Sequence, residues 1–119
     1  MSYDIAVWVG ERPLDDDEAT RVYERLYEQS ENTDAAPSPL LLDFIGALTS
    51  RYPDLMDLSE DDSDGSPWAD GPLTLNVVGS FFYFALTYSG AEEALPFIAE
   101  TARAHGLVCF DRQRPGLLT

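Results

Sequence analysis

Gly79-Ser80 sits between two apolar runs, Leu73–Val78 and Phe81–Tyr88, and this pairing constrains the fold more than any other feature of the chain. A two-residue turn with glycine first suits a type II′ hairpin, where only the first central residue needs a positive φ. The turn also fixes a register. Val78 then faces Phe81, Val77 faces Phe82, Asn76 faces Tyr83, Leu75 faces Phe84, Thr74 faces Ala85 and Leu73 faces Leu86. Opposed residues share a face, so Leu73, Leu75, Val77, Phe82, Phe84 and Leu86 are expected to form one apolar surface that helices must cover. The other face collects Thr74, Asn76, Val78, Phe81, Tyr83, Ala85 and Thr87.

The remaining elements follow from periodicity and punctuation. Over residues 3–9, Ile5, Val7 and Val9 alternate with Asp4, Ala6 and Trp8, a period of two that predicts a strand. Asp15-Asp16-Asp17-Glu18 place negative charge at a helix start, with an Asp as cap, and Ala19, Val22, Tyr23, Leu26 and Tyr27 form the stripe behind it. After a polar linker at 30–37, Ser38-Pro39 open a second helix carrying Leu41, Phe44, Ile45, Leu48 and Tyr52, which Pro53 stops. Residues 54–72 read as a long acidic loop, either disordered or functional. Ser89 and Glu92 match a capping box for a helix running to about His105, kinked or displaced by Pro96 and ended by a left-handed Gly106. Residues 107–111 predict a last strand and 112–119 a tail.

That order, β-α-α-β-β-α-β, predicts one α+β domain over residues 1–119. It matches the split βαβ, ferredoxin-like sandwich: a four-stranded antiparallel sheet in the order 4-1-3-2, with the helices on one face.

Charge bears on partners. The chain has 22 Asp and Glu against 7 Arg and no Lys, a formal net charge of −15. Salt adaptation or arginine-favouring codon usage accounts for such a composition, and so does a surface that steers a basic protein partner. Nucleic acid is disfavoured, because phosphate binding needs clustered cations. The chain has no apolar run of the length that crosses a bilayer and no basic leader, which predicts a cytoplasmic domain with no membrane partner. The single cysteine, Cys109, fits a reducing compartment.

The predicted sandwich leaves a bare sheet face bearing Ala6, Trp8, Phe81 and Tyr83. Exposed aromatics there suggest a base-stacking platform, but nothing offsets phosphate repulsion, so contact with protein or with a second copy is the better expectation. The alternative is that 54–72 folds over this face. Around Asp62-Ser63-Asp64-Gly65 a calcium-loop register fails, because position twelve falls on Gly71, which supplies no carboxylate. Trp68, between Pro67 and Pro72, either anchors a partner or pins its own loop. His105 at a helix C-terminus and Cys109 within a strand read as structural. Neither a nucleophile elbow nor a phosphate loop nor a zinc spacing occurs, so no catalytic residue, metal or cofactor is expected.

Tyr52-Pro53-Asp54, Ser66-Pro67-Trp68, Tyr88-Ser89 and His105-Gly106-Leu107-Val108-Cys109-Phe110-Asp111 together resemble a set of small bacterial proteins. Their last strand reads Gly-Leu-Val-x-Tyr/Phe-Asp-Pro-Gln; here Arg112 replaces the proline and Gln113 is kept. Some of these proteins look like immunity proteins of toxin systems, so the resemblance, over about residues 52–113, implies binding and blocking a toxin domain without metal or cofactor. Two expectations follow. One is an acidic inhibitor of a basic toxin, using Trp8, Phe81 and Tyr83 or Trp68 as anchors and Asp62, Asp64 and Asp70 as a steering rim. The other is a small ligand-binding or enzymatic homodimer packed through the open sheet face.

Overall fold

Strand β1 (Tyr3–Trp8) takes the centre of the sheet because its residues are apolar on both faces from Ile5 to Trp8. The structure, a computed structural model, describes residues 2–119. Helices α1 (Asp16–Glu31) and α2 (Pro39–Arg51) follow, then a short α3 (Glu60–Ser63), the β2–β3 hairpin (Val77–Val78 and Phe81–Leu86), α4 (Tyr88–Ala104), β4 (Val108–Asp111) and β5 (Gly116–Leu117). The molecule is α+β, with an antiparallel sheet in the order β2-β3-β1-β4-β5. The predicted neighbours β4-β1-β3-β2 are therefore present, and β5 extends them.

The arrangement of helices departs from expectation. Instead of a two-layer sandwich, the sheet carries helices on both faces. Ile5, Val7, Phe82, Phe84, Leu86 and Cys109 pack with Leu41, Phe44 and Leu48 of α2 and Ala94 and Ile98 of α4. Ala6, Trp8, Phe81, Val108 and Phe110 on the reverse face pack with Ala19 and Tyr23 of α1. Period-two alternation placed the side chains of β1 and β3 on their observed faces, but the reverse face is too aromatic to leave in water. Burial of an aromatic side chain is worth about 1.5–3 kcal/mol, which favours laying the α1 stripe across it.

Local signals set several ends. Asp15 Oδ1 accepts the Glu18 N–H at 2.8 Å, the expected cap, with acidic residues in the first turn. Leu107 N–H reaches Ala102 O at 2.9 Å and Gly106 N–H reaches Arg103 O at 3.0 Å, with Gly106 at φ 69°, a Schellman end to α4. Pro96 stays within α4, exposed, as is Glu92, whose carbonyl the proline leaves unpaired.

Four expectations are corrected. The hairpin pairs only Val77 with Phe82 and Val78 with Phe81, because Leu73–Asn76 coils into a 3-10 turn and Leu75 points outward, 77% exposed. The α4 cap is Thr87, whose Oγ1 accepts the Gly90 N–H at 2.9 Å, two residues before the predicted box. Gly90 is required there: a Cβ would stand 2.6 Å from Thr87 Oγ1 and collide with the Pro67 backbone. The predicted tail at 112–119 is ordered as β5, held by Leu118 N–H on Cys109 O (2.8 Å) and Leu117 N–H on Asp16 Oδ1 (2.9 Å). Residues 54–72, predicted as a long loop, are built from a 3-10 turn (Leu55–Asp57), α3 and a segment bridged to β3.

Candidate functional site

The 54–72 segment earns its order from buried polar groups. Asp54, itself buried, accepts the Met56 N–H at 3.1 Å and the Leu73 N–H at 2.8 Å, tying both ends of the segment together. Ser66 Oγ accepts the Trp68 N–H at 3.2 Å, and the Trp68 indole donates to Tyr52 O at 2.8 Å. Ala69 N–H then reaches Ala85 O and Thr87 N–H reaches Pro67 O, each at 2.9 Å. The segment thus pairs with the stretch of β3 that short β2 leaves open, so this sheet edge is not free for another chain.

Between that segment and the α3 turn lies an open groove of about 600 Å³, lined by Leu55, Leu58, Glu60, Trp68, Ala69 and Thr87, with Ser59 and Ser63 on its wall. Its floor is apolar. Its surroundings are carboxylates: Asp57, Glu60, Asp61, Asp62, Asp64 and Asp70 are all exposed. The Arg residues stand at 12, 21, 25, 51, 103, 112 and 114, so residues 52–102 carry no cation at all. Met56, whose N–H Asp54 accepts, and Leu75, two residues after Leu73, are 68% and 77% exposed.

The predicted contact residues separate into two groups. Trp8 (2% exposed) and Phe81 (4%) lie under α1, and Trp68 (2%) lies in the opposite core, so none of the three projects as an anchor. Tyr83 is half-buried and donates to Asp4 Oδ2 at 2.8 Å; burial first, then that bond, pushes its phenol pKa up. Asp62, Asp64 and Asp70 remain on the surface as expected. The groove residues Leu55 and Leu58 were overlooked, although two leucines spaced by three inside an acidic run were a visible signal.

A second cleft, of about 620 Å³, lies over Tyr3, Tyr88, Ser89, Leu95, Gln113 and Arg114. At one end of it Tyr3 donates to Asp111 Oδ2, while Asp111 Oδ1 accepts from Gln113 N–H (2.9 Å) and Arg114 N–H (3.1 Å). That arrangement turns β4 into β5 and is structural. Cys109 is fully buried, with its thiol pushed up to about 12 by burial first and Asp111 second. His105 holds its ring nitrogen 2.8 Å from Thr101 O at the end of α4. Among the described residues, no three His, Cys, Asp or Glu side chains converge as metal ligands, and no helix is long and apolar enough to cross a membrane.

These groups set an alkaline limit. Tyr3 is raised from 10.0 to about 12, by burial first and then by Asp111. A raised folded-state pKa contributes stability that is complete below the unfolded value and lost as pH rises through the folded one. Unfolding free energy should therefore fall between about pH 9, where an unfolded thiol ionises, and about pH 12. Denaturant titrations across that range check this, and Tyr3→Phe should shallow the slope. A flat profile would contradict the burial of both groups.

No family model, curated protein or solved structure matches the chain.

Proposed function

We propose that the chain is an acidic protein-binding module, in its most concrete form an immunity-type inhibitor that covers a basic toxin domain. The observation that carries this reading is a long stretch of chain without a basic side chain that includes an apolar groove. All seven Arg lie outside residues 52–102, while that span presents exposed carboxylates beside an apolar groove and two projecting apolar side chains. Such a surface speeds encounter with a cationic partner and repels anionic ones. The resemblance of residues 52–113 to small bacterial proteins, some of which look like immunity proteins, agrees with it. The ferredoxin-like description survives in this reading only as a strand order, since the scaffold that presents the acidic side has helices on both faces.

The homodimer reading needed a bare sheet face. With α1 across Trp8, Phe81 and Phe110, that face is not available for packing against a second copy.

The test is titration of the purified chain with the basic protein encoded beside its gene, followed by calorimetry at low and high salt and an assay of the partner's toxicity. The expected result is a one-to-one complex that neutralises the partner and whose Kd rises about tenfold or more at high salt. A complex indifferent to salt, or no complex with any adjacent basic product, would overturn the reading.

A further inference from the structure

We infer that the groove bounded by Leu55, Leu58, Glu60, Trp68 and Ala69 receives an arginine set in an otherwise apolar segment of a partner protein, which rests on the basic-partner reading above. An acidic surface alone would select only for net charge. Here an apolar floor adjoins a wall bearing the Glu60 carboxylate and two serine hydroxyls, and that combination matches a side chain with an aliphatic stem and a cationic head.

The floor consists of Leu55, Leu58, Ala69 and the nearly buried Trp68, held in place by the indole bond to Tyr52 O and the bridge to Leu86. It is fixed before any partner arrives, so docking costs little ordering. The wall carries Glu60 with the Ser59 and Ser63 hydroxyls. Ser59 Oγ accepts the Asp62 N–H at 3.2 Å and Ser63 Oγ donates to Glu60 O at 2.8 Å, so the wall is ordered and carries hydroxyl oxygens beside the exposed Glu60. An arginine fits this set better than a lysine, because its planar fork offers five donors to several acceptors while its stem lies on the leucines. The chain's own cation in this neighbourhood, Arg51, is engaged over the Tyr52 ring, 4.8 Å from its centroid.

The probe is a blocked peptide of alternating arginine and leucine, compared with the same peptide in which citrulline, neutral and similar in shape, replaces arginine. Binding to the full chain is measured by calorimetry. Three variants are compared: Glu60→Gln, Ala69→Arg, which places an internal guanidinium at the groove, and Glu24→Gln on the exposed side of α1. Circular dichroism confirms that each is folded. The expected result is that the arginine peptide binds and the citrulline peptide binds about tenfold more weakly or not at all. Glu60→Gln should weaken binding about threefold to tenfold and Ala69→Arg more, with Glu24→Gln within about twofold of the parent. Equal effects of all three variants would overturn the groove assignment while leaving an acidic binding surface intact, and equal binding of both peptides would overturn the groove and the charge-driven reading together. No binding of the arginine peptide at low salt would overturn the groove and the basic-partner reading together.

Discussion

Replacing Trp68 by alanine should lower the unfolding free energy by about 3–5 kcal/mol, a large share of the 5–15 kcal/mol typical of a small domain. Trp68 is 2% exposed and packs edge-on against Tyr52 and Phe84, with centroids 6.3 and 6.1 Å away. Its removal leaves a cavity beside β3 and takes the donor from Tyr52 O. Trp68→Phe keeps most of the apolar volume and loses the hydrogen bond, so about 1–2 kcal/mol is expected. Guanidinium unfolding of the two variants measures both. A loss below about 1 kcal/mol for Trp68→Ala would show that residues 66–69 are not packed as described, and the groove floor would go with them.

Tyr23→Ala should cost about 3–4 kcal/mol and, unlike the first substitution, loosen one layer before the rest. Tyr23 links α1 to the sheet: its ring lies 5.1 Å from Phe110, 6.2 Å from Phe81 and 6.1 Å from Tyr83. The helix is otherwise fastened by Ala19, the half-buried Val22 and Leu26, the Tyr27 ring on Tyr83 (5.3 Å) and the Asp16 bond to Leu117 N–H. A weakened α1 exposes Trp8, Phe81 and Phe110, so the variant should bind an apolar dye under conditions where the parent does not. Glu24→Ala, on the exposed side, should change stability by no more than about 0.5 kcal/mol. Full stability and no dye binding in Tyr23→Ala would mean that α1 does not cover this face.

The elements that could be read from the chain are those decided within one turn or one pleat. Asp15 caps α1, Gly106 ends α4 and Gly79, at φ 59°, turns the hairpin, because each requirement involves neighbours a few residues apart. Partners distant in sequence overrode local signals elsewhere. Leu73–Val78 alternates like a strand, yet Asp54 takes the Leu73 N–H and Leu75 N–H closes onto Pro72 O, so the chain coils. Thr87 rather than Ser89 begins α4, with its own N–H held by Pro67 O. The C-terminal residues looked like a tail because Leu117 pairs with a carboxylate in α1. For the candidate site, Asp62, Asp64 and Asp70 were legible as surface acids, whereas the groove needs α3 and the Trp68 segment brought side by side.

By itself, the sequence determined the α+β class, the central place of an apolar strand, which residues share each face of β1, and a net charge of −15. These depend on periodicity and composition, which any fold of the chain must respect. Only the tertiary structure decided that α1 crosses to the reverse face, burying Trp8 and Phe81, and that Trp68 closes the floor of a groove. An amphipathic helix carries the same stripe whichever apolar face it meets, so the choice rests on the total area buried and not on the local pattern.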